Sequence, residues 1–205
     1  MKLTCLGHAC YLLESDGYRI VMDPYKDVPG YRDPAVQAHE IFCSHDHFDH
    51  ASRDVIELLP ERESPFTVRK VTSYHDNENG TKRGVNTIHV LEAEGLCVVH
   101  LGDLGQSMLT GEQVKEIGTC DVLLVPVGGY YTMDGDTAAK VADALGCKTV
   151  VPMHYTADGK GFDEVVGPEK FLSHYAPEQI RYLDSASFEP VKSDVLQIIV
   201  PLNQD

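Results

Sequence analysis

The sequence predicts an α+β chain built from two mixed β-sheets packed face to face, with helices on the outside. Three observations lead there. The first hundred residues read mostly as short strands joined by turn chemistry, and the rest alternates strand with helix. The 205 residues, 42% of them hydrophobic, supply one full core, so a single domain over 1–205 is expected.

The elements follow in order. Alternating apolar runs predict strands at 2–6, 10–15, 18–22 and 39–44. Residues 24–38, rich in Pro, Gly and Asp, form a loop with room for a short helical turn. The run "ASRDVIELL" predicts a helix over 51–59, followed by strands at 66–69 and 71–75. Residues 76–84, "DNENGTKRG", are turn chemistry throughout. Residues 86–103 read as a hairpin with Glu94-Gly95 at its turn. Helices at about 111–118, 136–145 and 168–175 then alternate with strands at 121–127, 148–153, 180–183, 187–190 and 195–200.

Composition excludes several classes. The net charge is −15, and the densest basic stretches, 68–70 and 81–83, are short, so no nucleic-acid partner is expected. No apolar run reaches the ~20 residues of a membrane helix, so no membrane partner is expected. The first twenty residues read as a strand rather than a signal peptide, which implies a cytoplasmic protein. Cys5, Cys10, Cys43, Cys97, Cys120 and Cys147 lack CxxC spacing and are expected as buried free thiols in a reducing compartment. Oligomeric state is not legible.

The segment "SHDHFDH", 44–50, carries the chemistry. Imidazole and carboxylate are ligands for zinc, iron or manganese. In an extended loop His45 and His47 project to one side and share a metal, while Asp49 and His50 point to a second. Each pair is half of a four-coordinate site, so partners must come from elsewhere. The bland alternative is a polar loop with Asp49 as a helix N-cap, which leaves the three histidines unexplained.

These residues resemble the HxHxDH signature of the metallo-β-lactamase fold superfamily. "LGHACYLLE" (6–14), "RIVMDP" (19–24), "VVHLGDLG" (98–105), "LLVPVGGYYTM" (123–133) and "VVPMHY" (150–155) resemble further segments, in order, of the branch that includes L-ascorbate-6-phosphate lactonase. The resemblance implies a four-layered αβ/βα sandwich with its site at one edge between the sheets. It implies that His45, His47 and His75 hold a first metal, that Asp49, His50 and His154 hold a second, and that Asp103 bridges them. The implied cofactors are two divalent ions, zinc foremost, with manganese or iron as alternatives. A hydroxide between them would attack a lactone, ester or phosphate-bearing small molecule, with Asp49 handling a proton and Asp103 holding the metal spacing.

Other residues keep two readings. His8 is either pocket-lining or packing. Asp23 either orients the metal loop or forms an Asp-Pro turn. Tyr130, Tyr131 and Tyr155 either reach substrate or pack. His39 and His174 read as surface or rim residues, and His89 and His100 as strand residues. With a two-residue turn at Glu94-Gly95, His89 pairs across from His100 and Asn86 from Asp103. That register turns both histidines away from Asp103 and leaves His75 as the third histidine of the first metal. Residues 24–38, 76–84, 130–136 and 156–167 are the expected specificity loops. Competing functions are a phosphodiesterase or nuclease on the same fold, a di-iron redox protein, and a non-catalytic metal-binding module.

Overall fold

The computed structural model describes residues 1–202; residues 203–205 lie outside the described part. The chain opens with a meander of β1 (Lys2–Gly7), β2 (Cys10–Ser15) and β3 (Tyr18–Met22). After a long loop come β4 (Gln37–Ala38), β5 (Glu40–Phe42) and β6 (Glu57–Leu58). Then follow β7 (Thr67–Tyr74), β8 (Val85–Ala93), β9 (Leu96–His100), α1 (Gly111–Ile117) and β10 (Val122–Pro126). The chain continues with α2 (Gly135–Leu145), β11 (Thr149–Met153), α3 (Glu169–Leu172), β12 (Ile180–Tyr182), β13 (Ser187–Phe188) and β14 (Gln197–Val200).

Two main sheets form. One runs β13-β1-β2-β3-β5, the other β12-β14-β11-β10-β9-β8-β7, and β4 with β6 makes a small third. The meander and the β7-β8-β9 run are antiparallel, whereas β9, β10, β11 and β14 are parallel. Parallel neighbours need crossovers, and α1 and α2 supply them, as the strand–helix alternation predicts.

Side-chain alternation sorts the core into layers. On β10, Val122 and Leu124 pack between the two sheets with Leu3, Tyr11 and Leu13. Leu123 and Val125 face the other way, against Ile117 of α1, Ala138 and Val141 of α2, and Phe171 of α3. The outer face of the five-stranded sheet is covered differently. Leu6, Leu12 and Val21 pack under Tyr25 and Val28 of the loop, Ala38 of β4 and Ile56, which follows a 3₁₀ turn. Among the described residues no α-helix lies on that face. Segment 24–38 also forms no helical turn and is pinned by the Tyr25 hydroxyl, which donates to Leu6 O and Arg32 O.

Several expectations are corrected. Residues 51–59 are not a helix: a 3₁₀ turn at Arg53–Val55 leads into β6. Glu57 N and Leu59 N donate to Val36 O and Ala38 O, so a neighbouring strand takes the hydrogen bonds a helix would have used. The β-branched pair Val55-Ile56 favours that outcome, and Ile56 is buried in the outer cluster. The strands expected at 66–69 and 71–75 are one strand, β7. The helix over 168–175 shortens to α3. Cys120 and Cys147 are not free thiols but a disulfide with Cα atoms 5.2 Å apart. They precede β10 and β11, whose parallel register sets Val122 opposite Thr149, so the two positions meet at one sheet end. Cys5, Cys10, Cys43 and Cys97 are not disulfide-bonded.

Candidate metal centre

Six strands of the two main sheets deliver polar side chains from their C-terminal ends. His8 follows β1, Asp23 follows β3, and the 45–50 segment follows β5; His75 follows β7, Asp103 follows β9, and His154 follows β11. Three of these residues, His8, Asp23 and His154, turn out of their strands at positive φ of 52°, 46° and 51°. For non-glycine residues that costs energy and recurs at functional sites. Gly102 sits at φ 55°, and a Cβ there would come within 2.3 Å of the Ser44 Cβ and 2.4 Å of Asn86 Oδ1. Only glycine lets the β9 end approach the histidine loop so closely.

The hairpin register is as expected: His89 lies opposite His100, and Glu94-Gly95 makes the turn with both φ positive. Asn86 reaches Asp103 through its side chain, with Asp103 N donating to Asn86 Oδ1 at 2.9 Å. Asn86 Nδ2 donates to Ser73 Oγ and Leu101 O, so this buried amide locks β7, β8 and the Gly-Asp turn together. His100 Nε2 bonds Ala9 O instead of entering the site.

Asp103 is at the centre. Its carboxylate lies 3.2 Å from His50 Nε2, 3.2 Å from His75 Nε2, 3.3 Å from His154 Nε2 and 3.9 Å from His45 Nε2. Ligand atoms of His45, His47 and His75 fall within 4.8 Å of one another, as do those of His8, Asp49, His50 and His154, and those of His45, His50 and Asp103. The structure therefore brings together all seven residues singled out from the sequence, and His8 with them. His89 and His100 stand outside these groups. The route differs from the expected one in a detail: segment 44–50 is a run of bends and turns, not an extended loop, so curvature rather than two-residue alternation gathers its side chains. With no helix after it, Asp49 caps nothing and instead lies 3.3 Å from His8 Nε2.

Asp23 is the orienting group, not a simple turn residue. It is fully buried. Its Oδ1 accepts from Ser44 N at 2.6 Å, and its Oδ2 accepts from Ser44 Oγ at 2.6 Å and His50 Nδ1 at 2.8 Å. Ser44 Oγ in turn lies 2.9 Å from His45 Nδ1. Both histidines thus spend Nδ1 on this network and aim Nε2 at Asp103.

The electrostatics suit a cation. Burial, reinforced by neighbouring His50, drives His45 down to about 3. Burial and the charge of His154 drive His8 down to about 4. Neutral imidazole is the ligating form. Burial opposes charge on His50, but Asp103 and Asp23 flank it and raise it well above its ordinary value. Burial alone would raise Asp103, yet His154 and His50 hold it well below the usual carboxylate range. Two carboxylates converging on one buried point demand positive charge there, from a proton or a metal ion. The donor set passes a further test of fit. His45 Nε2, His50 Nε2, both ring nitrogens of His154 and Asp103 Oδ1 are buried with no hydrogen-bond partner among the described residues. Buried polar atoms without partners cost free energy unless something binds them.

With this arrangement in view, the comparisons with known proteins are decisive. The family described as the beta-lactamase superfamily domain matches residues 2–154. The chain belongs to the metallo-β-lactamase superfamily. A UPF0173 protein of Pyrococcus furiosus is 31% identical over 88% of this chain and 93% of its own length. A UPF0173 metal-dependent hydrolase of Hyperthermus butylicus is 29% identical over 73% of this chain and 81% of its own. A crystal structure from Thermotoga maritima, described as a Zn-dependent hydrolase of the metallo-β-lactamase superfamily, superposes with a TM-score of 0.79 at 33% identity, covering 99% of each chain.

The site opens into a cavity of about 470 Å³, with His47, Asp49, His75 and Asp103 in its floor. Its walls are Asp46, Phe48, Lys82, Arg83, Tyr131 and Phe162. Three of the four expected specificity loops contribute: 76–84, 130–136 and 156–167. Loop 24–38 does not line the cavity; its Tyr31 packs on Gly7 and Tyr25 under the five-stranded sheet. Tyr131 lines the main cavity, Tyr130 is an exposed neighbour beside it, and Tyr155 is buried in the helix-side core. His39 is half-buried and stacks on Tyr18, and His174 is exposed beside Asp136. The run "TKR" at 81–83 is too short to read as a basic patch by itself. The signal available was its position, inside a loop already assigned to the pocket.

Proposed function

We propose that this superfamily member is a metal-dependent hydrolase of small molecules, acting on a lactone, ester or phosphate-bearing substrate. One observation carries the reading. Seven ligand-grade side chains from four strand ends surround Asp103 at the floor of a cavity sized for a metabolite. His45, His47 and His75 would hold one divalent metal, Asp49, His50 and His154 a second, with Asp103 between them. Zinc is the first choice for this nitrogen-rich set, with manganese or iron as alternatives. Metals bound here would lower the pKa of a water toward neutrality and polarise the oxygen under attack.

The chain's own groups do the rest. Burial would raise the Asp49 carboxyl, but its hydrogen bond to His8 and the charge of His50 keep it below the ordinary range. It therefore stays ionised at neutral pH and can orient or deprotonate the attacking water. Asp23 holds His50 and, through Ser44, His45. Burial raises the Tyr131 phenol, so it remains protonated and can donate to a substrate oxygen. Phe48 and Phe162 keep water off an apolar substrate body. A nuclease reading finds less support, because two cations at one rim make no track for a polyanion.

A cytoplasmic, single-domain chain belongs to the same proposal. Among the described residues no helix is long and apolar enough to cross a membrane. The Cys120–Cys147 disulfide is reconciled with that compartment by burial of both cysteines, since a structural bridge can resist a reducing thiol pool.

The test has two parts. Elemental analysis should find up to two divalent metals per chain, removable by chelator. Metal-loaded protein should hydrolyse at least one class among lactones, phosphodiesters and thioesters, and chelator should abolish it. Stoichiometric metal without any turnover would favour the non-catalytic reading, and no metal after reconstitution would sink both.

A further inference from the structure

Arg83 stands in the cavity wall with its charge uncommitted. Its guanidinium lies 5.7 Å from the Tyr131 ring centroid and 6.0 Å from that of Tyr130. Among the described residues no carboxylate is within ion-pair distance of it. Its neighbour Lys82 differs, since Lys82 Nζ is paired with Glu78. The aromatic faces hold the guanidinium plane without consuming its N–H donors.

The loop that carries Arg83 is built rather than loose. Asp76 is buried, and its carboxylate gathers four backbone N–H groups of its own loop. Oδ1 accepts from Glu78 at 2.8 Å and Gly80 at 2.9 Å; Oδ2 accepts from Lys82 at 2.9 Å and Arg83 at 2.8 Å. Asp76 directly follows His75, so one clasp fixes Arg83 relative to the cluster. That is a large investment of hydrogen bonds for a surface loop of Asn, Gly and Lys.

We propose that Arg83 is the specificity-determining residue of the cavity and that the substrate carries an oxyanion, a carboxylate or a phosphate, which Arg83 receives. The claim rests on the hydrolase reading and deepens it. Arginine offers two parallel N–H bonds matched to such a group. A chain of net charge −15 repels anions at long range, and Asp46 adds a negative charge to this wall. A local cation is therefore needed to admit one. In the same cavity Phe48 and Phe162 lie 6.2 Å apart edge to face and would cover an apolar body between the oxyanion and the reacting carbonyl or phosphorus.

The experiment compares a neutral and an anionic ester with the same leaving group, 4-nitrophenyl acetate and 4-nitrophenyl hemiglutarate. Arg83→Gln should lower the ratio of kcat/KM, anionic over neutral, by about tenfold or more. Lys70→Gln, a cation on Phe42 away from the cavity, should leave the ratio unchanged. A second arm needs no turnover. Glutarate and inorganic phosphate are titrated into the protein, with and without zinc, while the Arg83 Nε–H resonance is followed. A saturable shift with glutarate assigns a carboxylate, and one with phosphate assigns a phosphate. If neither anion moves that resonance, or if the ratio survives Arg83→Gln, the proposal is overturned. Failure to hydrolyse any ester would count against the hydrolase reading, and the resonance arm would still decide the role of Arg83.

Discussion

Asp23→Asn changes one atom of a fully buried side chain, and the hydrogen-bond directions decide its effect. In the native protein Asp23 is ionised: burial opposes this, but His50, His100 and Ser44 together hold it well below the ordinary range. Oδ2 therefore accepts from both Ser44 Oγ–H and His50 Nδ1–H. Because Ser44 uses its proton on Asp23, its oxygen accepts from His45 Nδ1–H. Both imidazoles thus carry Nδ1–H, and in the neutral form that binds a metal each is bare at Nε2. In Asp23→Asn, Oδ1 keeps the bond from Ser44 N, and an NH₂ group replaces Oδ2. The amide now donates to Ser44 Oγ and His50 Nδ1. His50 must move its proton to Nε2, and Ser44 turns its hydroxyl toward His45 Nδ1, so His45 does the same. Two lone pairs aimed at Asp103 become N–H groups. A lost orienting partner typically costs about 10–100-fold in metal affinity, and here one substitution reverses two ligands. Two charge-assisted bonds, each contributing about 1.5–3 kcal/mol net, become weaker neutral ones, so stability falls by less than their sum. Zinc affinity by chelator competition, on variant shown folded by circular dichroism, should drop by at least tenfold. Nitrogen NMR of the metal-free variant should show the proton on Nε2 and none on Nδ1 of His45 and His50. Unchanged affinity, with Nδ1 still protonated on both, would refute the argument.

Asp103→Ala should strip metal and abolish hydrolysis, whereas His8→Ala should cost only about 10–100-fold, because Asp103 approaches four histidines from the centre of the cluster and the His8 side chain hydrogen-bonds Asp49 at its edge; the reverse order in folded variants would move the bridging role elsewhere. His75→Ala should lower metal content and His100→Ala should leave it intact, as elemental analysis will show. His89 is buried against Phe42, its ring nitrogens without a hydrogen-bond partner among the described residues, and burial brings it from 6.5 down to about 4. The unfolded chain therefore binds this proton at a higher pH than the folded one, and stability falls as pH drops from 6.5 toward 4, by at most about 3 kcal/mol for this group. His89→Phe should flatten that slope in urea unfolding at pH 4 to 7.5, and an unchanged slope would assign the loss to other groups. Reducing the Cys120–Cys147 bridge frees a 27-residue separation; thermal melting with reductant should move down, by an amount matching about 3.5 kcal/mol of chain entropy, and coincident melts would mean no bond forms.

Local pattern was sufficient for much of this molecule. Strand periodicity and turn residues located the β1–β3 meander, the β8–β9 hairpin and the β10-α2-β11 alternation, because each is stabilised mainly by neighbours in sequence. The hairpin register needed only Glu94-Gly95 at its turn. Residues 51–59 failed for the opposite reason. Their apolar spacing satisfies a helix, but carbonyls of Val36 and Ala38, some twenty residues earlier, bond their backbone and take the segment into a strand. The Cys120–Cys147 pairing was equally invisible, since parallel register between β10 and β11, not spacing, brings the sulfurs together.

The candidate site divides along the same line. The sequence by itself determined which residues carry ligand chemistry, because His and Asp crowded into 45–50, with Asp103 and His154 beyond, are costly to keep without a cation to hold. Tertiary structure alone decided which ring nitrogens are free, which residue orients them and what the cavity wall presents. Asp23, Ser44 and His50 meet only when β3 and β5 pair side by side. Arg83 faces the cluster only because the Asp76 clasp folds its loop back over the end of β7. Chemical identity is written residue by residue. Direction and proximity arise from strand ends far apart in the chain, which only the packed sheets bring within a few ångströms.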